Sequence, residues 1–508
     1  MTDHLPILPI LIPMLGGLFM LLPPFVGAER YQLRRAMTVA LMLLHFVCSI
    51  WLISSVAQSG AIMYAVGDWQ PPFGIILYAD MLSAILVTLT SFLAIGVTLY
   101  SFAGDDRLGR YFHPLIQFQL VGICGAFLTN DLFNLFVFFE VLLIASYALM
   151  IHGGGKQRTA ANIHYVILNL VGSSLFLIAL GTLYGTTGTL NVAHMSLRIT
   201  ELSEGQTLIA QAGASLLLVV FGLKAALLPM HFWLPRTYSE ATAPVAALFA
   251  IMTKVGVYCI FRVFTVIFGD EAGSLANMIE PWIWPMAVLT ITVGTIGVLA
   301  SPSLRIMTAN LVVVSVGTLL IAFAIRTPEA TAAAMLYLIH STLVSAALFL
   351  LADMIGQQRG KALDRFVVAR KINQPTLLGV LFFLAALSIA GLPPLSGFLG
   401  KLVILQSATT PDDQQWVWSL ILISSLLTIV ALSRAGTTLF WRHPTNSEPD
   451  SDSSVSNWQI GGAALLLLAS PVIVLFGASF VHHTSEAATQ LHNVQMLLDV
   501  MNLNGGDK

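Results

Sequence analysis

Charge is what this sequence has least of. Of its 508 residues only 9% are Asp, Glu, Lys or Arg, against 57% hydrophobic, where a water-soluble domain carries about 25% charge. A soluble fold is thereby excluded. Cysteine is nearly absent: Cys48, Cys124 and Cys259 each fall inside an apolar run, with no pairing or metal-ligand spacing, so neither a disulfide framework nor a metal site is expected. No basic stretch precedes the first apolar run, LPILPILIPML, which reads as a first membrane span instead of a cleaved leader. Iron–sulfur, flavin and nicotinamide signatures are missing, and no cofactor is implied. The net charge of −2 names no partner, and no nucleic acid is expected.

What is present is apolar length. Runs of about 20 residues, enough to cross a bilayer, recur along nearly the whole chain. They predict an all-α polytopic membrane protein with fourteen spans, near 5–27, 36–58, 80–102, 113–129, 131–152, 160–187, 207–234, 241–268, 282–300, 303–326, 329–357, 374–407, 414–440 and 457–481. Only Asn130 and Asp131 separate the fourth from the fifth. Alternate loops hold Arg30, Arg34 and Arg35, then Arg107 and Arg110, Lys156 and Arg158, Arg236, Arg305, the five from Arg359 to Lys371, and Arg434 and Arg442. These are sixteen of the 23 basic residues, and the other loops and tails hold only Arg198, Arg326 and Lys508. The positive-inside rule then puts both termini on the outer side. Residues 59–79 and 188–206 read as outer connections, HPTNSEPDSDSSVSN (443–457) as a flexible cytoplasmic linker, and 482–508 as a short outer helix with His482 and His483 solvated.

The few charges inside the spans carry the functional reading. LLLVVFGLKAALLPMHFWLPRTYSEATAP (216–244) places Lys224 well inside span seven, five residues before Pro229. A lysine at the bilayer centre costs roughly 2.5–3.5 kcal/mol, and a proline removes a backbone donor and breaks the helix. Broken membrane helices persist where the freed backbone meets protein or a wet cavity. A charge beside a break is the local pattern of an ion path, the bland alternative being a lysine that snorkels to the surface. Glu140 sits mid-span in NLFVFFEVLLIASYALM, Lys254 mid-span in IMTKVGVYCIFRVF, and His340 in LYLIHSTLVSAALFL beside Ser341, Thr342 and Ser345. Each has a structural alternative: a salt bridge for Glu140, packing for Lys254, a hydrogen-bonded core imidazole for His340. Lys401 follows a second break, GLPPLSGFLG from Gly391 to Gly400, with Pro393 and Pro394 inside it. It is the only charge there, so it is expected to be buried without an acidic partner. Asp80 and Asp353 read as interfacial or structural, Glu240 as a helix cap and Arg262 as a snorkelling residue.

Two breaks five spans apart suggest a repeat. Five is odd, so the copies must be inverted in the membrane, the pattern of transporters with discontinuous helices. The predicted organisation is spans one to three (1–112), a first repeat of spans four to eight (113–268), a second of spans nine to thirteen (282–440), and the linker, span fourteen and tail (441–508).

The segments TNDLFNLFVFFEVLLIASYALM, GLKAALLPMHFWLPRTYSEATAPVAALFAIMTKVGVY and GLPPLSGFLGKL resemble the antiporter-like subunits shared by respiratory complex I and the Mrp cation/proton antiporters. The likeness runs over spans three to thirteen and is nearest in wording to the D-type Mrp subunits. It implies a proton path through Glu140, Lys224, Lys254, His340 and Lys401. It also implies a hetero-oligomeric sodium/proton antiporter of the bacterial cytoplasmic membrane, with A, B, C, E, F and G subunits as partners. Whether Na+ itself passes through this chain is left open. The reading SPSLR before span ten departs from the Asp-x-Lys-Arg turn of complex I relatives and puts a coupling role for Arg305 in doubt. Two other readings stand: a proton-pumping subunit of a redox complex, such as NADH:quinone oxidoreductase or a membrane hydrogenase, and a structural member whose axis no longer conducts.

Overall fold

The computed structural model describes residues 2–23, 25, 30–444 and 454–503. The middle of the expected 443–457 linker, the end of the first span at 24 and 26–27, and Lys508 lie outside the described residues. The helices are α1 (Leu8–Met20), α2 (Tyr31–Ser59), α3 (Met81–Ser101), α4 (Phe112–Leu128), α5 (Leu132–Met150), α6 (Lys156–Thr187), α7 (Val192–Arg198), α8 (Glu204–Ala225), α9 (Trp233–Glu240), α10 (Ala243–Phe249), α11 (Met252–Val266), α12 (Glu280–Ala300), α13 (Leu304–Ala324), α14 (Pro328–Gln358), α15 (Pro375–Ala390), α16 (Ser396–Ser407), α17 (Pro411–Phe440), α18 (Asn457–Leu475), α19 (Gly477–His492) and α20 (Val494–Val500). Among the described residues, 11 helical stretches are long and apolar enough to cross a membrane, and the shorter apolar helices His4–Met20, Phe112–Leu128 and Pro375–Ala390 accompany them. The protein is a multi-pass membrane protein.

The fold is not purely helical. In the 59–79 connection, β1 (Ile62–Ala65) pairs antiparallel with β2 (Ile76–Ala79), Ile62 opposite Ala79. IMYA and ILYA are short, β-branched and aromatic, which suits a half-buried pleat. β2 is buried throughout, and Leu77 bridges on to Thr129.

Burial is graded from the centre outward. The apolar windows of α14 and of the α10–α11 pair are wholly buried by protein, whereas those of α2 and α17 are one-third buried. The outer helices expose Leu44, Val47 and Trp51 of α2 and Leu422, Leu426 and Val430 of α17, as a lipid-facing surface requires. Close helix crossings rest on paired glycines. A Cβ on Gly122 of α4 would meet the Leu142 backbone of α5, and one on Gly125 would strike Phe138. Gly294 and Gly297 of α12 meet Val314 and Asn310 of α13 in the same spacing.

The connections fasten to one another in two sets. On one side Arg35 pairs with Asp106 at 2.6 Å, His152 Nε2 lies 2.7 Å from the Asp105 carbonyl, Arg158 donates to the Glu240 carbonyl at 2.8 Å, and the Arg305 amide donates to Asp364. On the other side the Thr129 region meets β2, Asp131 bridges Asn191, and Arg326 pairs with Glu280 at 3.1 Å. The C-terminal helices close that second side: Gln490 Oε1 accepts the Met81 amide at the start of α3, and His492 is hydrogen-bonded with Thr331 of α14 at 3.0 Å.

Several expectations change. Arg262 does not snorkel. It is buried and paired with Asp80 at 2.6 Å, because Asp80, as N-cap of α3, lies within its reach. Glu240 is not a cap: it ends α9, and Thr242 precedes α10. Asp353 and Arg305 form an ion pair at 2.7 Å.

Candidate functional site

The break in the seventh span starts before its proline. α8 ends at Ala225; Ala226 adopts the left-handed conformation (φ 60°), and the Leu227 amide returns to the Gly222 carbonyl at 2.8 Å. This is a Schellman termination. The chain then passes Pro229 and a single turn, 230–232, before α9. The freed groups find protein partners: Thr290 of α12 accepts the Leu228 amide at 3.0 Å, and Trp233 Nε1 donates to the Leu223 carbonyl at 3.0 Å. The second break repeats the device. α15 ends at Ala390, Gly391 is left-handed (φ 86°), and the Leu392 amide returns to the Leu387 carbonyl at 3.0 Å. The expected break from Gly391 to Gly400 is shorter, because α16 begins at Ser396 and Gly397 and Gly400 are helical. Pro393 and Pro394 lie within it, as Pro229 lies within the first. A third interruption, absent from the sequence reading, separates α10 from α11 at residues 250–251, directly before Lys254.

Lys224 is buried (5% exposed). Its Nζ donates to Asn169 Oδ1 of α6 at 3.0 Å and lies 5.8 Å from the Phe139 ring centre. Glu140, half-buried on α5, accepts instead from Ser173 of α6. The two charges are within electrostatic range but form no ion pair. Asn169 and Ser173, one helical turn apart, stand between them, each holding one. Gly256 of α11 admits the end of α8: a Cβ there would meet the Ala225 amide nitrogen at 2.5 Å and Lys224 C at 2.9 Å. Lys254, wholly buried, donates to Ser315 Oγ of α13 at 2.7 Å.

His340 of α14 does not use the hydroxyls of its own helix, since Ser341 and Thr342 bond back to the Leu338 carbonyl. Its Nδ1 is hydrogen-bonded with Ser396 Oγ, 2.8 Å away at the start of α16. Ser396 Oγ is in turn 2.7 Å from Ser470 of α18, which reaches Ser388 of α15 at 2.8 Å. The imidazole approaches because residue 397 is glycine, where a Cβ would stand 2.9 Å from Nε2. His340 is within electrostatic range of both Lys254 and Lys401. Lys401 is not without partners: Nζ folds back over Gly391 to the carbonyls of Ala390 (2.9 Å) and Ile389 (3.3 Å) and to Ser425 Oγ of α17 (2.8 Å).

The five ionisable residues thus lie on α5, α8, α11, α14 and α16, with α6 packed between the first two and α13 between the third and fourth, each on hydroxyl, amide or carbonyl groups. Among the described residues none is in an ion pair within 4.0 Å, and no His, Cys, Asp or Glu cluster could hold a metal. The polar partners Asn169, Ser173, Ser315, Ser396, Ser425 and Ser470 escaped the sequence reading. For Asn169 and Ser173 a signal existed, two polar residues four apart in an apolar run. Ser470 lies in span fourteen with no charge beside it.

Residues 129–428 match a family model described as NADH:quinone oxidoreductase/Mrp antiporter, TM. Among similar curated proteins, a Bacillus subtilis chain, named as the D subunit of a Na(+)/H(+) antiporter, is 37% identical over 97% of this chain and 98% of its own. A Rhizobium meliloti chain, named as the D subunit of a probable K(+)/H(+) antiporter, is 36% identical over 94% and 92%. Among solved structures, a chain of the Mrp complex from Dietzia superposes with a TM-score of 0.84 at 25% identity, covering 98% of this chain and 99% of that one. A chain of respiratory complex I from Thermus thermophilus, at 23% identity and a TM-score of 0.77, covering 97% of this chain and 100% of that one, shares the fold.

Proposed function

Because the chain belongs to the NADH:quinone oxidoreductase/Mrp antiporter transmembrane family, we propose that it is the proton-translocating D-type subunit of a multisubunit Mrp-type Na+/H+ antiporter in the bacterial cytoplasmic membrane. It is a transporter subunit, without bond chemistry of its own. One observation carries the proton role: the buried cations Lys224 and Lys254 and the half-buried Lys401 are held, among the described residues, only by neutral acceptors. A lysine so held can release its proton without stranding a buried counter-charge, the costly outcome when one member of a buried pair is neutralised. Protons hop between Lys224, Lys254, His340 and Lys401 through transient water, and Glu140, linked to Lys224 across α6, tunes the first site.

The same reading takes the 11 long and three shorter apolar stretches as fourteen crossings. The two sets of fastened connections are what that count requires, since odd-numbered and even-numbered turns then lie on opposite faces. The basic set is cytoplasmic by the positive-inside rule, which leaves both termini outside. The matching glycine crossings of α4 on α5 and α12 on α13, and the matching terminations at Ala226 and Gly391, support two inverted five-span repeats (113–268 and 282–440). Partners follow from the flank. Glu140 is only half-buried on an α5 face that also exposes Phe133, Val137 and Ile144. A carboxylate facing lipid at that depth would cost about 2.5–3.5 kcal/mol, so this face suits cover by another antiporter component. The redox-pump alternative has the shared family description and a likeness of fold behind it, whereas the relatives at 36–37% identity are named as antiporter subunits.

The test is transport by the complete complex in vesicles. Glu140→Ala is expected to abolish sodium-driven proton movement while the complex assembles; wild-type transport would remove the role.

A further inference from the structure

The proton axis accounts for charges at membrane depth but not for a second cluster, on the basic side, where α3, α6, α13 and α14 end. Asp105 opens the single turn Asp105–Arg107 after α3. It is half-buried, and its carboxylate takes no hydrogen bond from the described residues; its main-chain carbonyl is used, by the His152 ring and the Leu108 amide. Asp353, near the end of α14, is within electrostatic range of Asp105. Asp353 Oδ2 accepts from the Tyr100 hydroxyl (2.8 Å) and the Gln357 amide (2.7 Å), and Oδ1 accepts from Arg305 (2.7 Å). The other charges acting on Asp105 are Arg305 of α13, Arg158 of α6 and the adjacent Asp106. The two neighbouring aspartates are treated oppositely. Burial works against ionised Asp106, but hydrogen bonds from Arg35 and His113 hold it down at about 2. Asp105 has no such donors. Burial first, then the charges of Asp353 and Asp106, push it up to about 7, against the opposing pull of Arg305 and Arg158.

Inward from this pair, unpartnered polar atoms lie on the same helices. Ser345 Oγ and His340 Nε2 of α14, and Thr98 Oγ1 of α3, are buried with no hydrogen-bond partner among the described residues. Ser345 is eight residues from Asp353, about 12 Å along the helix, and His340 about 8 Å further. A buried polar atom without a protein partner is a place for ordered water.

We propose that Asp105 and Asp353 form the cytoplasmic proton port of this protein, loading one proton from bulk water and passing it inward along α14 through water held at Ser345. The proposal rests on the proton-axis reading above. Asp105 is the labile member, protonated below neutrality and ionised above it. Asp353, oriented by Tyr100, Gln357 and Arg305, is the second carboxylate, whose charge favours the protonated form of Asp105.

The experiment uses inverted vesicles containing the whole antiporter complex, with the pH on the outward-turned cytoplasmic face varied through neutrality. Asp105→Asn is expected to slow antiport by roughly a hundredfold or more, in the range of a lost acid–base group. It should also flatten the dependence on that pH, and Asp105→Glu should restore both. A purely structural Asp105 would change the amount of complex but leave the profile per complex intact. A wild-type rate and profile in Asp105→Asn overturn the port. Lys224→Ala, measured alongside, separates the two ideas: if it is inactive while Asp105→Asn is normal, only the port fails, and if it transports normally, the axis itself fails. Should Asp105→Asn not assemble, infrared titration of the wild-type complex decides. A protonated-carboxyl band that disappears as pH rises through about 7 and is perturbed in Asp105→Glu supports the port, and its absence overturns it.

Discussion

Lys224 and Lys401 stand on opposite sides of their breaks in sequence, yet both serve the end of the half-helix that precedes the break. Matching Ala226 to Gly391, the two left-handed residues, sets Lys224 against Ile389. Lys401 Nζ bonds the carbonyls of Ile389 and Ala390, so it arrives from the following half-helix at the point that Lys224 occupies from the preceding one. This explains an asymmetry between the breaks. Ala226 tolerates a Cβ, whereas a Cβ at Gly391 would lie 2.8 Å from Lys401 Cδ. Gly391→Ala is therefore expected to cost about 1–2 kcal/mol in backbone conformation and to dislodge Lys401, with antiport in vesicles falling sharply; Ala226→Gly should leave it near wild type. Lys224→Arg should fail to transport, since a guanidinium keeps its proton, and full activity would make Lys224 an electrostatic fixture. At this scale the sequence was informative about charges and silent about their partners. Isolated Lys, Glu and His in apolar runs are conspicuous for the cost of burying them. Whether Glu140 meets Lys224 directly or through Ser173 and Asn169 depends on helix rotation, which composition does not encode.

A broken helix is a liability until something else takes its hydrogen bonds, and here neighbouring helices do so. Thr290 of α12 holds the Leu228 amide in the first break, and Ser470 of α18 accepts the Ser396 amide in the second at 3.1 Å. Thr290→Val keeps the shape and removes the acceptor. Leaving that amide unsatisfied should cost about 1–3 kcal/mol, seen as faster hydrogen exchange over residues 226–232 with the rest of the chain unchanged. The proline-marked breaks could be read from sequence because proline cannot donate. The interruption at Ala250–Ile251 could not: neither residue disfavours a helix, both keep right-handed helical dihedrals, and only the hydrogen bonds tighten, the two amides reaching carbonyls three residues back. The β1–β2 hairpin was hidden for a related reason, four-residue strands being too short for alternation to stand out in an apolar chain.

Across the whole molecule, the buried Asp80–Arg262 pair ties α3 to α11, joining the first three spans to the helix that carries Lys254. Arg262→Met alone should destabilise the solubilised protein by about 3–5 kcal/mol by leaving a carboxylate unpaired. Asp80→Asn, which keeps the N-cap, should recover much of that loss when combined with Arg262→Met; thermal unfolding of the two variants side by side is the measurement. The same end of α3 carries a longer connection, from the Met81 amide to Gln490. A ribosome releasing the chain would thread α3 into the bilayer long before Gln490 existed, and α14 would wait likewise for His492. Both helices thus stay open at one end until the segment around 490 has been made, α3 for far longer than α14. A chain stalled before that segment would leave those ends of α3 and α14 without these partners, so the segment acts as a latch on two helices laid down before it.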